Sequence, residues 1–469
     1  MEGLTYDDVL LIPKRSPIKS RKEINLSIEL TPEIKLNLPI MAAAMDTVCE
    51  SAMAIALARM GALGVIHRFN TIEKQAEEVK RVKREENYFL ERPLTIAPKT
   101  RLKQIIELSE KLNNRSFLIV DSENKLLGLI SKRDYIFETD LEKEVEEMMT
   151  PFEKLICVND FISLPDAKQF FRQHKIEKLP VVEKDGKLKG LITAKDVIQA
   201  TNIRAVRDKK GRLLVGGALG VKSDCYERAR ELVSAGVDIL VLDIAHGHLE
   251  VCLETTRELK KSFPWIPLMV GNIATEEGAR DLREAGADII KVGVGPGAVC
   301  TTRIVTGCGV PQITAVLAAK KGAQDVPIIA DGGIRTSGDM VKALAAGAQA
   351  VMLGNLLSGT DEAPGRLTMW NGRKVKLYRG MASFAAYENK NKGLNNKETE
   401  YFTAEGVDQA FVPYKGPVKD LLLAWQGGLK SGLSYCGAKN IKELWQKAEF
   451  VKITQASLRE NAPHDVEQA

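Results

Sequence analysis

Three times along the chain a helix-like stretch ends in Ala-Gly, a polar residue follows, and a short apolar run then ends in Asp or Gly. The unit reads Ala235-Gly236-Val237-Asp238 before Ile239–Asp243, Ala285-Gly286-Ala287-Asp288 before 289–293, and Ala346-Gly347-Ala348-Gln349 before 350–354. A glycine after a helix accepts the left-handed conformation of a C-cap. An apolar run without alternation suits a parallel strand buried on both faces. Similar runs at 38–42, 63–67, 213–218, 239–243, 268–272, 289–293, 327–331 and 350–354 predict eight strands, with helical segments such as 223–235, 275–285 and 337–346 between them. Eight strand–helix units point to an α/β fold, a closed (β/α)8 TIM barrel. An open doubly wound sheet is the alternative, but its glycine-rich phosphate loop follows the first strand, and residues 41–47 contain no glycine.

The gap between the second and third strands is too long for one crossover and holds an internal repeat. Residues 117–134, with Gly128-Leu129-Ile130 and Ser131-Lys132-Arg133-Asp134, return at an offset of 62 as 179–196, with Gly190-Leu191-Ile192 and Thr193-Ala194-Lys195-Asp196. Two such copies can bury each other's apolar faces as one small α/β module. The expected division is 92–202 for this insertion, and 1–91 with 203–469 for the barrel and a C-terminal flap. The paired repeat resembles a tandem CBS (Bateman) module. That resemblance implies that Ser131, Asp134, Thr193 and Asp196 hold the ribose of a regulatory adenine or guanine nucleotide. Ordinary N-terminal helix capping explains the same residue types.

Composition narrows the class. Apolar residues make up 44% of the 469 and charged residues 28%, so the chain is globular. The net charge of +5 comes from 67 basic and 62 acidic residues that are interspersed, which suits a solvated surface more than a nucleic-acid stripe. No apolar run approaches the roughly 18–20 residues of a membrane span. Residues 1–13 lack an export signal, so a cytoplasmic location is expected. The seven cysteines include no C-x-x-C pair, which argues against disulfides and zinc. His246 and His248 are the only close histidine pair and read as loop residues.

In such barrels chemistry sits on the loops after the strands. The sixth strand leads into Gly293-Val294-Gly295-Pro296-Gly297-Ala298-Val299-Cys300-Thr301-Thr302-Arg303. Glycines let the backbone approach a ligand or ion closely, and the thiol at the end of that loop is a candidate nucleophile. For Cys49, Cys157, Cys225, Cys252, Cys308 and Cys436 a buried, inert thiol is the expectation. The seventh strand ends Ala330-Asp331-Gly332-Gly333, which suits a ribose diol and a phosphate. Asp243, ending the fourth strand, can orient a cofactor amide or ribose. Later come Tyr378-Arg379-Gly380-Met381-Ala382-Ser383 and a polar flap at 388–399, followed by Glu400-Tyr401-Phe402-Thr403-Ala404-Glu405-Gly406, where a carboxylate can serve proton transfer.

These motifs, with Leu4-Thr5-Tyr6-Asp7-Asp8-Val9-Leu10-Leu11, Ala44-Met45-Asp46-Thr47-Val48 and Pro413-Tyr414-Lys415-Gly416-Pro417-Val418, resemble the family of IMP dehydrogenases and GMP reductases over residues 4 to about 453. The resemblance implies that Cys300 adds to carbon two of the purine, with Thr302 and Glu405 assisting proton transfer. It implies that Asp331 holds the ribose diol, that Gly333, Gly354 and Tyr378 hold the phosphate, and that Gly380, Met381 and Ser383 meet the base. Asp243 and Gly293 are implied at the nicotinamide cofactor. The backbone carbonyls of Gly295, Gly297 and Cys300 are implied to take a monovalent cation such as K+. A purine nucleotide monophosphate is the implied substrate, and a homotetramer that pairs to an octamer is the implied assembly. No membrane or specific nucleic-acid partner is expected.

Some positions depart from the dehydrogenase pattern. Ala298 and Asn355 stand where dehydrogenases carry serines, and Glu400-Tyr401 stands where they carry an Arg-Tyr dyad that activates water. Glu400-Tyr401-x-x-Ala404-Glu405-Gly406 and Asp243-x-Ala245 resemble the reductases, and Val270-Gly271-Asn272 lacks the usual Gly-Gly-Asn. The expectation is therefore a GMP reductase using NADPH. The alternatives are an IMP dehydrogenase using NAD, and a nucleotide-sensing protein without catalysis.

Overall fold

The structure, a computed structural model, describes residues 2–85, 88–91, 93–112, 116–160, 162–199, 204–386 and 403–461. The chain divides into two compact units, 1–85 with 204–208 and 213–469, and 86–203 with 209–212.

In the first unit eight parallel strands close into a barrel. They are β1 (Ile40–Ala42), β2 (Leu63–Ile66), β3 (Gly216–Leu219), β4 (Ile239–Asp243), β5 (Leu268–Ile273), β6 (Ile289–Val292), β7 (Ile328–Asp331) and β8 (Ala350–Leu353). Each pairs with its neighbours in chain order, and β8 pairs with β1. The crossover helices are α1 (Ser51–Arg59), α2 (Ile72–Arg84), α3 (Cys225–Ala235), α4 (Glu250–Ser262), α5 (Glu276–Glu284), α6 (Gln312–Ala323) and α7 (Ser337–Ala345). A longer helix, α8 (Val418–Tyr435), packs on α7. No helix among the described residues is long and apolar enough to cross a membrane.

All eight expected strands are present, and one is displaced. The run 213–218 begins too early, because Leu213 bridges Arg207 and Leu214 N donates to Val206 O. The strand proper starts at Gly216, opposite Val65 and Ile239.

The repeated Ala-Gly-x-Asp unit has a physical basis. Gly236, Gly286 and Gly347 take positive φ angles of 90°, 97° and 114°, which turn the chain out of its helix. The aspartate then fastens the neighbouring strand. Asp238 Oδ2 accepts Val215 N just before β3 at 2.8 Å, and Asp288 Oδ2 accepts Leu268 N at the start of β5 at 2.8 Å. Cations complete two of these corners, one of them, Lys83, buried. Lys83 Nζ lies 2.6 Å from Asp238 and 3.1 Å from Asp208, and Lys260 Nζ lies 2.8 Å from Asp288.

The second unit bears out the repeat. Hairpins Ser116–Val120/Leu126–Ser131 and Lys178–Val182/Leu188–Thr193 share the 62-residue offset, as do the preceding helices Leu102–Leu112 and Leu164–His174. Leu118 and Leu126 of one copy pack with Val182, Leu188 and Leu191 of the other. The unit begins before residue 92, because Phe89–Leu90 pairs with Leu191–Ile192. Ser131 Oγ donates to Asp134 Oδ2 at 2.8 Å and Thr193 Oγ1 to Asp196 Oδ2 at 2.5 Å, and Asp196 N returns a bond to Thr193 Oγ1 at 3.1 Å. Both pairs therefore sit at helix N-termini as caps.

Helices α5 and α6 approach closely at Gly322, where an added Cβ would lie 1.9 Å from Glu276 O. Because backbone, not a flexible side chain, fills that space, Gly322→Ala should destabilise the barrel by about 1–3 kcal/mol. A fall in the thermal or denaturant midpoint with unchanged cofactor-free secondary structure checks this. An unaltered midpoint would mean that α5 and α6 can separate freely.

Candidate active site

The C-terminal strand ends surround a cavity of about 470 Å³, a usual size for a small-molecule site. Cys300, Thr302, Asp331, Tyr378, Gly380 and Met381 line it. So do Asp243, Gly293, Gly295, Gly297 and Glu405. Gly333, Gly354 and Ser383 lie outside the lining. Gly354 sits behind Tyr378, where an added Cβ would be 3.1 Å from both Tyr378 Oη and Met45 Sδ. Gly333 has a φ of 77° and faces Pro296 and Tyr6. Ser383 is buried, and its Oγ accepts Ala386 N at 3.3 Å.

Cys300 is half-buried, and its thiol donates to Thr302 Oγ1 at 3.2 Å. Thr302 Oγ1 in turn donates to Glu405 Oε2 at 2.7 Å. A thiol, a hydroxyl and a carboxylate thus form a continuous proton path. Backbone bonds hold it together. Thr301 N donates to Glu405 O at 2.8 Å, Val407 N to Val299 O at 3.0 Å, Gly380 N to Val407 O at 2.9 Å and Glu405 N to Ala382 O at 2.9 Å. The segment carrying Glu405 is thereby laid between the cysteine loop and residues 380–382. Gly380 and Gly406 permit this, since an added Cβ at 380 would be 2.8 Å from Gly406 Cα.

Burial pushes the thiols of Cys157 and Cys252 up to about 11 and that of Cys225 to about 12. Cys308 corrects its expectation, because it is exposed, on the turn after the short helix Thr302–Thr306.

On the cavity wall lies a group that the sequence reading overlooked. Lys291, in the middle of β6 and 2% exposed, reaches Asp243 Oδ1 at 2.7 Å, Asp331 Oδ2 at 2.9 Å and Asn272 Oδ1. Asn272 Nδ2 also donates to Asp331 Oδ2 at 2.9 Å and Gly293 O at 2.8 Å. Burial by itself would lower the lysine pKa, but the charges and hydrogen bonds of Asp243 and Asp331 outweigh it and the net shift is upward. A lone lysine within Ile289-Ile290-Lys291-Val292 was the available signal, since a charge in a doubly buried strand needs a partner.

Arg379 was also overlooked. Its Nε donates to Asp46 Oδ2 at 3.0 Å and its second guanidinium nitrogen makes a further bond to that carboxylate, tying residues 378–383 to the turn after β1. Gln312 Nε2 binds Val292 O at 2.8 Å and Asp331 O at 3.1 Å, bracing β6 against β7. Arg68 and Phe69 line the cavity near Asp243, with the guanidinium 4.9 Å from the Phe69 ring centroid. Of the two loop histidines, His248 pairs with Asp281 at 2.8 Å. No group of three or more metal-ligating side chains occurs among the described residues. Glu400 and Tyr401, with the flap 388–399, lie outside the described residues.

The family model for the IMP dehydrogenase / GMP reductase domain matches residues 3–464. The chain belongs to that family. It is 50% identical to the inosine-5'-monophosphate dehydrogenase of Aquifex aeolicus, over 99% of this chain and 96% of that one. It is 45% identical to the GMP reductase of Leishmania donovani, over 99% and 97%. Among solved structures, a cysteine-to-alanine variant of GMP reductase from Trypanosoma brucei, in complex with guanosine 5'-monophosphate, superposes with a TM-score of 0.85 at 44% identity, covering 100% of this chain and 98% of that one. The protein is thus an NAD(P)-dependent oxidoreductase, which sets aside the reading without catalysis.

For this family member the Arg379–Asp46 pair is a direct stability test, since both side chains are nearly buried, at 13% and 10%. Arg379→Met strands the carboxylate and should cost about 3–5 kcal/mol. Adding Asp46→Asn should recover part of the loss. Denaturant titration of the three proteins measures both, and equal midpoints throughout would deny the pair a structural role.

Proposed function

We propose that this family member is a GMP reductase, converting GMP and NADPH to IMP, ammonia and NADP. The observation that carries the reading is the continuous Cys300–Thr302–Glu405 path, which suits protonation of a departing amine. The sequence supports it, since Glu400 replaces the water-activating arginine and no arginine lies between Arg379 and Arg459.

In this reading the thiol proton leaves through Thr302 to Glu405, and Sγ bonds to carbon two of the purine as the C2=N3 double bond opens onto N3, to re-form when the amine leaves. The same path returns the proton to the exocyclic amine, the C2–N bond breaks and ammonia departs. The reduced nicotinamide, when bound, supplies a hydride. Carbon two accepts it, the S–C2 bond breaks, and Cys300 recovers a proton from solvent. The sum is GMP + NADPH + H+ giving IMP + NH3 + NADP+.

The residues present suit both ligands. Asp331 is followed by Gly332 and Gly333, with φ of 94° and 77°, a left-handed backbone of the kind that can cradle an anion, and Gly332 lines the cavity. Asp331 would hold the ribose diol, and Tyr378 with Gly333 and Gly354 the phosphate. Gly380, Met381 and Ser383 would frame the base. Asp243 and Gly293 would face the nicotinamide. One oxygen of each aspartate makes no hydrogen bond among the described residues, Oδ2 of Asp243 and Oδ1 of Asp331. A monovalent cation at the carbonyls of Gly295, Gly297 and Cys300 remains part of the proposal, as does a regulatory nucleotide at Ser131/Asp134 and Thr193/Asp196.

A second reading, IMP dehydrogenase, has its own support in the relatives of that name at 45–50% identity. One absorbance assay at the nicotinamide band separates the two. NADPH oxidation with GMP should exceed NAD reduction with IMP. Robust XMP formation and no ammonia from GMP would overturn the reductase reading.

Cys300→Ala should abolish turnover in either reading while nucleotide binding persists, and Cys308→Ala should keep most activity. Turnover by purified Cys300→Ala protein would reject the covalent route. Excision of residues 86–203 should leave the basal reaction and remove nucleotide regulation, because that unit has its own core. A folded but inactive deletion protein would place part of the active site in the module.

A further inference from the structure

Four consecutive strands, β4 to β7, deliver Asp243, Asn272, Lys291 and Asp331 to one point on the cavity wall. The ammonium has three N–H donors, and all three are used, on Asp243, Asn272 and Asp331. Each carboxylate gives Lys291 one oxygen and keeps its other oxygen without a hydrogen bond among the described residues. The lysine therefore fixes the rotation of both carboxylates and offsets the repulsion between two anions that share one wall of the cavity.

We infer that Lys291 is a single positioning residue for both ligands, holding Asp331 for the nucleotide ribose and Asp243 for the dinucleotide at the same time. The inference rests on the assignments made under Proposed function for Asp331 and Asp243. It adds that the two half-sites share one charge, so loss of that charge weakens both. A lysine with a merely structural role would lower the melting temperature and leave the binding constants alone.

Binding, not turnover, tests this. The full-length chain carrying Cys300→Ala, which blocks chemistry, is titrated calorimetrically with IMP and, separately, with NADP+ and NAD+. IMP belongs to both candidate reactions, so the test does not depend on which one the enzyme performs. Asp331→Asn should weaken IMP and Asp243→Asn should weaken the preferred dinucleotide, each by roughly tenfold. Lys291→Gln should weaken both ligands, again by roughly tenfold. On the Lys291→Gln background, Asp331→Asn should cost IMP far less than it does alone.

Lys291→Gln with both constants within about twofold of the parent, or with only one altered, overturns the inference. Aspartate variants with unaltered binding sink the site assignments themselves, and the inference falls with them. Should Lys291→Gln fail to fold, Asn272→Ala replaces it. That variant removes one acceptor of the ammonium and one donor to Asp331, so it too must weaken both ligands, and an effect on one alone overturns the inference.

Discussion

Eight parallel strands can share one closed ring of hydrogen bonds only if every strand is buried on both faces, and the rest of the molecule follows from that. It explains why the strands read as unbroken apolar runs, and why the helices between them end on glycine and turn back within a few residues. It also explains the aspartates after those glycines. A closed ring leaves the first N–H of an incoming strand at the lower rim, where β3 and β5 are each fastened by a carboxylate from the neighbouring turn. The upper rim carries the opposite economy. There the strands end, side chains are free to vary, and residues far apart in sequence face one cavity.

Much of this was legible from residues alone. The strand count, the closed barrel and the 62-residue repeat left local signatures in a glycine cap and a recurring tetrapeptide, and Cys300 stood out as a thiol ending a glycine loop, whereas the pairing of Thr302 with Glu405 came only from the family resemblance. The third strand was misplaced because Leu213, Leu214 and Val215 are as apolar as the strand that follows, and only a tertiary partner, Val206, separates them. The module boundary was set too late for a similar reason, since the two-residue strand Phe89–Leu90 carries no periodicity to read. Arg379, Asn272 and Lys291 were missed because their meaning is relational. A charge inside an apolar run announces that a partner exists, but which strand supplies it depends on the closure of the ring.

The same closure explains how one scaffold hosts two reactions. Addition of a thiolate to carbon two of a purine, a bound ribose and a nicotinamide facing the adduct are common needs, and the residues that would meet them come from the rim itself. What differs is the fate of the adduct, hydrolysis in one reaction and reduction in the other. The positions that depart from the dehydrogenase pattern are few, at 270 within β5, on the loops after the strands at 245 and 298, and on the segments after β8 at 355 and 400. Overall identity weights the barrel positions that both reactions share, so an IMP dehydrogenase at 50% identity and a GMP reductase at 45% are both similar to this chain over nearly its whole length. The proposed reductase reading therefore rests on particular positions, such as the glutamate at 400 where dehydrogenases carry an arginine, and not on overall identity.

The proton path also ties chemistry to the seating of a chain segment. Thr302 opens the short helix after the cysteine loop, whereas Glu405 comes from a strand-like stretch 103 residues later. Their 2.7 Å contact is held by main-chain bonds on both sides of residues 405–407, to the cysteine loop and to 380–382. A path set by backbone tolerates side-chain variation around it, but not displacement of the segment. A shift of about 1 Å there would break the hydroxyl–carboxylate bond outright, given how steeply such bonds weaken with distance and angle. In the proposed reductase reaction, proton delivery to the amine is available only while residues 405–407 are seated against the loop that bears Cys300, so Glu405 and the thiol would be presented to the substrate together.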